Sequence, residues 1–111
     1  MTETESLVQR QLDAYNDRDI ERFCACYAED VEVYRMPTIE PTISGMAKFR
    51  ETYVERFKSR TLNAKIQNRI SLGSKVVDHE YVVGIKETPV EVIVVYEMTD
   101  GLLRKVWFFN P

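Results

Sequence analysis

NAKIQNRISLGSKVVDHEYVV, residues 63–83, is the stretch of sequence that decides the fold. On both sides of its Gly73-Ser74 pair, apolar and polar residues alternate, as they do in strands that bury one face. A glycine followed by a serine is a suitable two-residue loop between antiparallel strands. The stretch therefore predicts a β-hairpin in which Gly73 and Ser74 form the turn.

A two-residue loop fixes the register of this hairpin, and the register sorts the side chains onto two faces. On the face that we expect to be polar, the predicted pairs are Gln67 with Glu80 and Arg69 with Asp78. On the face that we expect to be apolar, the predicted pairs are Ala64 with Val83, Ile66 with Tyr81, Asn68 with His79, and Ile70 with Val77. We interpret Asp78 and Glu80 as residues that hold the strands in register, Asp78 through an ion pair with Arg69.

Three helices are predicted before this hairpin. Apolar residues recur at steps of three or four over residues 4–16, 20–27 and 46–57. Asp19 is a suitable N-cap for the second helix, Glu29-Asp30 ends that helix, and Gly45 opens the third. The alternating sequence VEVYRM at 31–36 predicts a strand between the second helix and the third.

Residues 90–98 and 102–109 predict a second hairpin around an Asp-Gly turn. This hairpin is apolar on both faces, with Trp107 on one and Phe108 on the other. Such a strand pair needs cover on both faces, whereas three helices can cover only one face of a curved sheet. We therefore expect an α+β fold, with a strongly curved antiparallel sheet packed on three N-terminal helices. The uncovered sheet face predicts a homodimer packed sheet to sheet.

Length and composition limit the possible functions. At 111 residues, 44% of them hydrophobic and 30% charged, the chain predicts one globular domain over residues 1–111. The net charge of −3 is spread along the chain, so nothing indicates the basic surface of a nucleic-acid-binding protein. No apolar stretch approaches the roughly 20 residues of a membrane span, and the N-terminus is acidic where a signal peptide is basic. We therefore expect a cytoplasmic protein with neither a membrane nor a nucleic-acid partner.

The order of elements carries a resemblance to a known superfamily. The chain contains the phrases VQRQLDAYNDRDIERFCACYAEDVEVY, SGMAKFRETY and DGLLRKVWF in sequence. In these phrases and their spacing it resembles the nuclear transport factor 2-like superfamily, and within it the SnoaL-like and ketosteroid-isomerase-like bacterial proteins. The resemblance implies a cone-shaped sheet, the cystatin-like roll, wrapped around helices with a mostly apolar ligand pocket between them. Because this superfamily hosts many activities, the resemblance implies a fold and not a reaction.

The resemblance also implies where a ketosteroid isomerase would carry its catalytic groups. Such enzymes use a tyrosine on the first helix, an aspartate base just after the first strand, and a protonated aspartate on a later strand. Matching this chain to that pattern places Gln11, Arg35 and Val94 at the three positions. Arginine stays protonated at neutral pH and cannot act as a base, and valine can neither donate nor accept a proton. The family mechanism of steroid isomerisation is therefore not expected here.

His79 is the candidate for proton transfer, because histidine is the side chain whose ordinary pKa lies nearest neutral pH. The alternative is a structural histidine on an apolar strand face, satisfied by Asn68 across the ladder. A single histidine without a second ligand at a usual spacing predicts no metal site, and nothing in the sequence indicates a cofactor.

Further residues are candidates for the wall of a ligand pocket. They are Asn68, Tyr15, Tyr27, Tyr34, Tyr53, Arg35 and Trp107. For each tyrosine, ordinary core packing is the alternative, since a tyrosine has an apolar body and one polar tip. Trp107 could wall a cavity or fill one. Arg35 could pair with Glu40, meet an anionic ligand, or lie in solvent.

Two functions remain open from the sequence. In the first, the protein is a binding module whose pocket holds a small apolar molecule. In the second, it is an isomerase, lyase or hydrolase that uses His79 as acid or base, with a tyrosine or Asn68 as hydrogen-bond donor. Both functions require a cavity next to the sheet.

Overall fold

Three helices and six strands make up the computed structural model, which describes residues 1–111. In chain order the elements are α1 (Glu3–Asn16), α2 (Ile20–Cys24), β1 (Tyr27–Arg35), β2 (Ile43–Ser44), α3 (Met46–Arg56), β3 (Asn63–Leu72), β4 (Lys75–Val83), β5 (Val90–Thr99) and β6 (Leu102–Phe109). None of the three helices has the length and apolar character that a membrane crossing requires.

The six strands form one sheet in the order β2-β1-β6-β5-β4-β3. All neighbouring strands are antiparallel except β1 and β6, which run parallel. The sheet is curved and open, and α1 packs across β3 to β6 while α3 packs on β1 and β2. The predicted α+β fold of a curved sheet on three helices is confirmed, and the parallel β1–β6 contact is an addition to it.

The first two helices begin where the sequence predicts. Thr2 and Glu5 form a capping box at the start of α1, and the Asp19 carboxylate accepts the Arg22 N–H at 3.1 Å. The prediction that α2 continues to Glu29-Asp30 is wrong, because the helix ends at Cys24. The apolar spacing fits a helix, but pairing with β6 draws the chain into β1 from Tyr27 onward.

The β3–β4 hairpin has the predicted turn and only part of the predicted register. Gly73 and Ser74 form the loop, and Arg69 with Asp78, Asn68 with His79 and Ile70 with Val77 are the confirmed pairs. Below them a β-bulge at Gln67 shifts the register by one residue. The predicted partners of Ala64, Ile66 and Gln67 are therefore wrong: Ile66 lies opposite Glu80, and Ala64 lies opposite Val82.

The face of β4 that turns inward is the opposite of the one that the sequence suggests. Its buried side chains are Val76, Asp78, Glu80 and Val82, which face the helices. His79 points to the outer face of the sheet. The expectation that Asp78 and Glu80 occupy a polar face away from the core is therefore wrong, because Arg69 on β3 and Tyr96 on β5 donate hydrogen bonds to these carboxyl groups inside the fold.

The core is a single cluster of 21 buried apolar residues between the helices and the inner face of the sheet. Aromatic rings from α1, α2, α3 and β1 meet at its centre. The rings of Phe23 and Phe49 stack with centroids 5.5 Å apart, and those of Tyr27 and Phe49 approach to 4.4 Å. The ring cluster leaves open space beside it, toward β4 and β5.

Gly84, directly after β4, should be the glycine least tolerant of a side chain. Its φ is +93°, and an added Cβ would lie 2.5 Å from the backbone of Leu62. We expect Gly84→Ala to lower the free energy of unfolding by roughly 3 kcal/mol or more, because backbone strain and a backbone clash combine there. Gly73→Ala is the matched control: φ is +58° with nothing within 4 Å, so only about 1 kcal/mol of strain is expected. Urea unfolding of both variants measures the difference, and equal losses would contradict it.

Candidate active site

A cavity of about 310 Å³ lies between the helices and the inner face of the sheet. Of its 17 lining residues 11 are hydrophobic, which makes it suited to a small apolar molecule. The six polar lining residues are Gln11, Arg35, Arg56, Glu80, Lys86 and Asn110. Glu80 is the only carboxylate among them.

A chain of buried hydrogen bonds leads across the fold to Glu80. The Tyr27 hydroxyl donates to Gln11 Oε1 at 2.7 Å, and Gln11 Nε2 donates to the Tyr96 hydroxyl oxygen at 3.3 Å. The Tyr96 hydroxyl then donates to Glu80 Oε2 at 3.1 Å. The chain joins β1, α1, β5 and β4, so the position of the Glu80 carboxyl group is fixed by four separate elements.

Burial raises the pKa of Glu80 from 4.5 to about 7, and the negative charge of neighbouring Asp78 adds to the effect. The hydrogen bond from Tyr96 and the charge of Arg69 act in the opposite direction and are weaker. Near neutral pH the carboxyl group is therefore present in both protonation states. That is the property a general acid or base needs.

Asp78 differs from Glu80 because it has an ionic partner. Its carboxylate is fully buried and accepts two hydrogen bonds from Arg69, from Nε at 2.6 Å and from Nη2 at 2.9 Å. Arg69 Nη1 also donates to Gln9 Oε1 on α1 at 2.8 Å. The ion pair predicted from the register is confirmed. Glu80 is left as the buried carboxylate without a salt bridge.

Three of the tyrosines predicted for a pocket lie on the cavity wall: Tyr15, Tyr27 and Tyr53. Burial raises the pKa of Tyr53 to about 12, and it also raises the pKa of Tyr15 and Tyr27. Their hydroxyls therefore stay protonated at neutral pH and can donate hydrogen bonds. Arg56 Nη1 lies 3.5 Å from the Tyr15 hydroxyl, and the Tyr53 hydroxyl makes no hydrogen bond within the protein.

Arg35 also lines the cavity, at the end of β1. It forms no ion pair with Glu40, which was one of the roles open to it from the sequence. Instead its guanidinium carbon lies 4.7 Å above the centroid of the Phe108 ring. Arg35 is thus a cation held against the cavity wall by an aromatic face.

The other predicted site residues lie on the outer face of the sheet, away from the cavity: His79, Asn68, Tyr34 and Trp107. His79 Nε2 lies 2.6 Å from Glu91 Oε2, and Tyr34 stacks on Trp107 with ring centroids 5.9 Å apart. Strand alternation sends these side chains to the side opposite Glu80. The placement of His79 and Asn68 beside the pocket therefore needs correction, and no group of three or more His, Cys, Asp or Glu residues could hold a metal ion.

Glu80, Tyr96, Arg56 and Lys86 are among the cavity residues that the sequence did not assign to a pocket. A signal for Glu80 was present, since it alternates with Val82 and Val76 on one side of β4. The other side of the strand carries Val77 and Val83, so alternation alone could not say which side is buried.

Solved structures with similar folds cover nearly the whole chain. A Kribbella flavida protein provisionally assigned as a ketosteroid isomerase is 24% identical with a TM-score of 0.84, over 98% of this chain and 78% of that one. An LEH-like epoxide hydrolase from M. tuberculosis is 17% identical with a TM-score of 0.81, over 98% and 83%. An NTF2-like protein of unknown function from Cytophaga hutchinsonii is 10% identical with a TM-score of 0.83, over 97% and 89%. At these identities the likeness shows the fold alone.

No curated protein sequence matches this chain. The protein-family model described as the SnoaL-like domain, however, matches residues 8–106, from the first helix to the last strand. The match includes the elements that build the cavity and the hydrogen-bond chain to Glu80. The chain therefore belongs to the SnoaL-like domain family, and it has the fold of NTF2-like proteins.

Proposed function

We propose that this protein binds a small, largely apolar molecule in the cavity and moves a proton on it, with Glu80 as the acid–base group. The observation that carries the proposal is a buried carboxyl group with a pKa of about 7 and no ionic partner, in a cavity whose lining is mainly hydrophobic. Perturbed carboxyl groups in clefts are typical of catalytic sites. Glu80 takes the role that the sequence assigned to His79.

In the proposed reaction the Glu80 carboxylate removes a proton from a carbon next to a carbonyl group. The C–H bond breaks, its electron pair moves into the carbonyl system to form an enolate, and Glu80 becomes protonated. The hydroxyl of Tyr53, or that of Tyr15 beside Arg56, stabilises the enolate oxygen by donating a hydrogen bond. Glu80 then returns the proton, to the same carbon or to another.

The comparisons support a small-molecule role without naming a substrate. Among proteins of this fold, one bears the name of a ketosteroid isomerase and another that of an epoxide hydrolase. The family match shows the scaffold, and the proposed chemistry rests on Glu80.

Binding without chemistry is the second candidate function. Glu80 is 6% exposed, and one of its oxygens already accepts the Tyr96 hydroxyl. Gln11 and Arg35 also stand at positions where the resemblance implies a tyrosine and an aspartate in ketosteroid isomerases. A cavity of this kind could hold an apolar molecule without acting on it.

Proton exchange into small ketones should separate the two functions. The protein is incubated in D₂O with a panel of apolar ketones and enones, and the loss of the α-proton signals is followed by NMR. We expect wild-type protein to accelerate exchange and Glu80→Gln to lose at least about 100-fold of that rate, because the base is removed. The wild-type rate should fall below about pH 7, where the carboxylate becomes protonated.

His79→Ala is the control in this assay, since His79 lies on the outer face, and its rate should equal that of wild type. Exchange that persists in Glu80→Gln would refute the role of Glu80. Ketones that bind and raise the melting temperature without any exchange would favour the pure binding function.

Glu80→Gln should also stabilise the fold at alkaline pH. The folded-state pKa of Glu80 lies above its ordinary 4.5, so the charged form destabilises the fold. This penalty is absent below about pH 4.5 and complete above about pH 7; a rise to about 7 corresponds to about 3 kcal/mol. Urea unfolding of the variant and wild type at about pH 4 and about pH 8 should show a gain for Glu80→Gln only at the higher pH. An equal change at both pH values would contradict the raised pKa.

We also infer that two copies of the chain pack through the outer face of the sheet. Several apolar side chains on this face are open to solvent, among them Ile70 at 67%, Leu72 at 80% and Phe109 at 40% exposure. An apolar sheet face of this kind is typical of a subunit interface. The cytoplasmic location expected from the sequence stays a prediction.

Light scattering after gel filtration should give wild-type protein twice the mass of the 13.0 kDa chain. Ile93 lies on the outer face next to His79 in the ladder and is 36% exposed, so Ile93→Lys should shift the protein to the mass of one chain. Val54→Lys is the matched control, because Val54 is 39% exposed on α3, away from the sheet. A monomeric wild type at roughly 100 μM would refute the dimer.

A further inference from the structure

We infer that the molecule bound in the cavity carries a carboxylate, which Arg35, Arg56 and Lys86 hold at the cavity entrance while its apolar body extends toward Glu80. The inference rests on the proposed function, since it concerns the same cavity, and it specifies the class of molecule. It follows from three features of the lining: the charges that converge there, the way the arginines are held, and the position of Glu80.

Three cations line the cavity, and none of them has an ionic partner. Arg35, Arg56 and Lys86 form no salt bridge with any carboxylate of the chain, although Asp and Glu outnumber Lys and Arg by 18 to 15. Arg35 and Lys86 are exposed and Arg56 is half-buried, so these residues stand at the entrance. Positive charge that converges on an apolar cavity without internal compensation favours an anionic ligand.

Aromatic faces hold the two arginines in place. The guanidinium carbon of Arg35 lies 4.7 Å from the centroid of Phe108, and that of Arg56 lies 5.6 Å from the centroid of Tyr53. Apart from Arg56 Nη1, which donates to the Tyr15 hydroxyl at 3.5 Å, the N–H groups of these two guanidiniums make no side-chain hydrogen bond within the protein. Paired N–H groups in one plane match the two oxygens of a carboxylate.

Glu80 limits the kind of anion and its direction in the cavity. It lies at the buried end of the cavity, and its negative form repels a second negative charge. A carboxylate therefore binds at the entrance, where the three cations lie, and the uncharged part of the molecule faces Glu80. The hydrophobic lining between the two ends, including Val82 and Val92, suits an apolar linker. The ligand class is thus a small keto acid with an apolar body.

A matched pair of compounds tests the charge. Benzoylpropanoate and its uncharged amide, benzoylpropanamide, have nearly the same size and share the same ketone and ring. Isothermal titration of wild-type protein at about pH 7 should show the carboxylate binding at least about 10-fold more tightly than the amide, because charge-assisted hydrogen bonds are gained only by the carboxylate.

Variants test which cations are responsible. Arg35→Gln, Arg56→Gln and Lys86→Gln should each reduce the preference for the carboxylate several-fold, and the triple variant should abolish it while the amide still binds. Arg60→Gln is the matched control, because Arg60 is exposed, forms no ion pair and lies outside the cavity lining. It should leave both affinities unchanged.

The possible failures are distinguishable. Equal binding of the acid and the amide to wild type would overturn the carboxylate inference and leave the apolar cavity of the proposed function intact. A preference for the acid that survives the triple variant would also overturn it, because the anion would then bind elsewhere. Proton exchange into neutral ketones, which needs no anionic group, tests the proposed function independently.

Discussion

The ion pair between Arg69 and Asp78 is the interaction on which the candidate site depends. Two carboxylates on the inner face of one strand, two residues apart, would repel each other in a core of low polarity. Arg69 donates two hydrogen bonds to Asp78 and compensates its charge, and Arg69 Nη1 donates a further hydrogen bond to Gln9 on α1. Loss of one partner from a buried pair of this kind typically costs about 3–5 kcal/mol. Because Asp78 is satisfied in this way, Glu80 can remain beside it without a counter-ion.

The fold thus holds an energetically unfavourable group, the Glu80 carboxyl, on the cavity wall, where a ligand can contact it. Burial of Glu80 opposes its ionisation, and the hydrogen bond from Tyr96 compensates for only part of that cost. The remaining cost in folding free energy is offset by the packing of the surrounding aromatic and aliphatic side chains. Local instability of this kind is common where a carboxyl group must change its protonation state during a reaction.

Periodicity predicted most of the fold from the sequence. Steps of three and four marked all three helices, and alternation with the Gly-Ser and Asp-Gly turns marked both hairpins. Several features of the fold were not predicted, and three of them concern the sheet. The parallel contact of β1 with β6 joins segments far apart in sequence, and the bulge at Gln67 has no local signal. The inward face of β4 was also undecided, because valines occur on both sides of it.

The sequence predicted only those parts of the candidate site that do not depend on contacts between residues far apart in the chain. Tyr15, Tyr27 and Tyr53 were proposed for a family-implied pocket from their residue type and line the cavity, whereas Tyr34, proposed for the same reason, does not. Glu80 was overlooked because carboxylates in a strand usually face solvent. What keeps Glu80 inside is the chain through Gln11 and Tyr96, and Gln11 lies on α1, distant from β4 in sequence. His79 was selected as a candidate because of its residue type alone, and its side chain lies on the outer face, away from the cavity. In this fold the pKa of a buried side chain depends on its burial and on its charged and hydrogen-bonding neighbours.

The hydrogen-bond chain from Tyr27 also has a direction. Gln11 accepts through its oxygen and donates through its nitrogen, so every hydroxyl in the chain donates toward Glu80 Oε2. The other oxygen, Oε1, has no hydrogen-bond partner within the protein, so it is the oxygen that the proposed proton transfer would use. In the proposed reaction, the side from which a proton reaches a bound molecule would therefore depend on the position of the Glu80 carboxyl group. That position depends in turn on the Gln11 amide on the first helix.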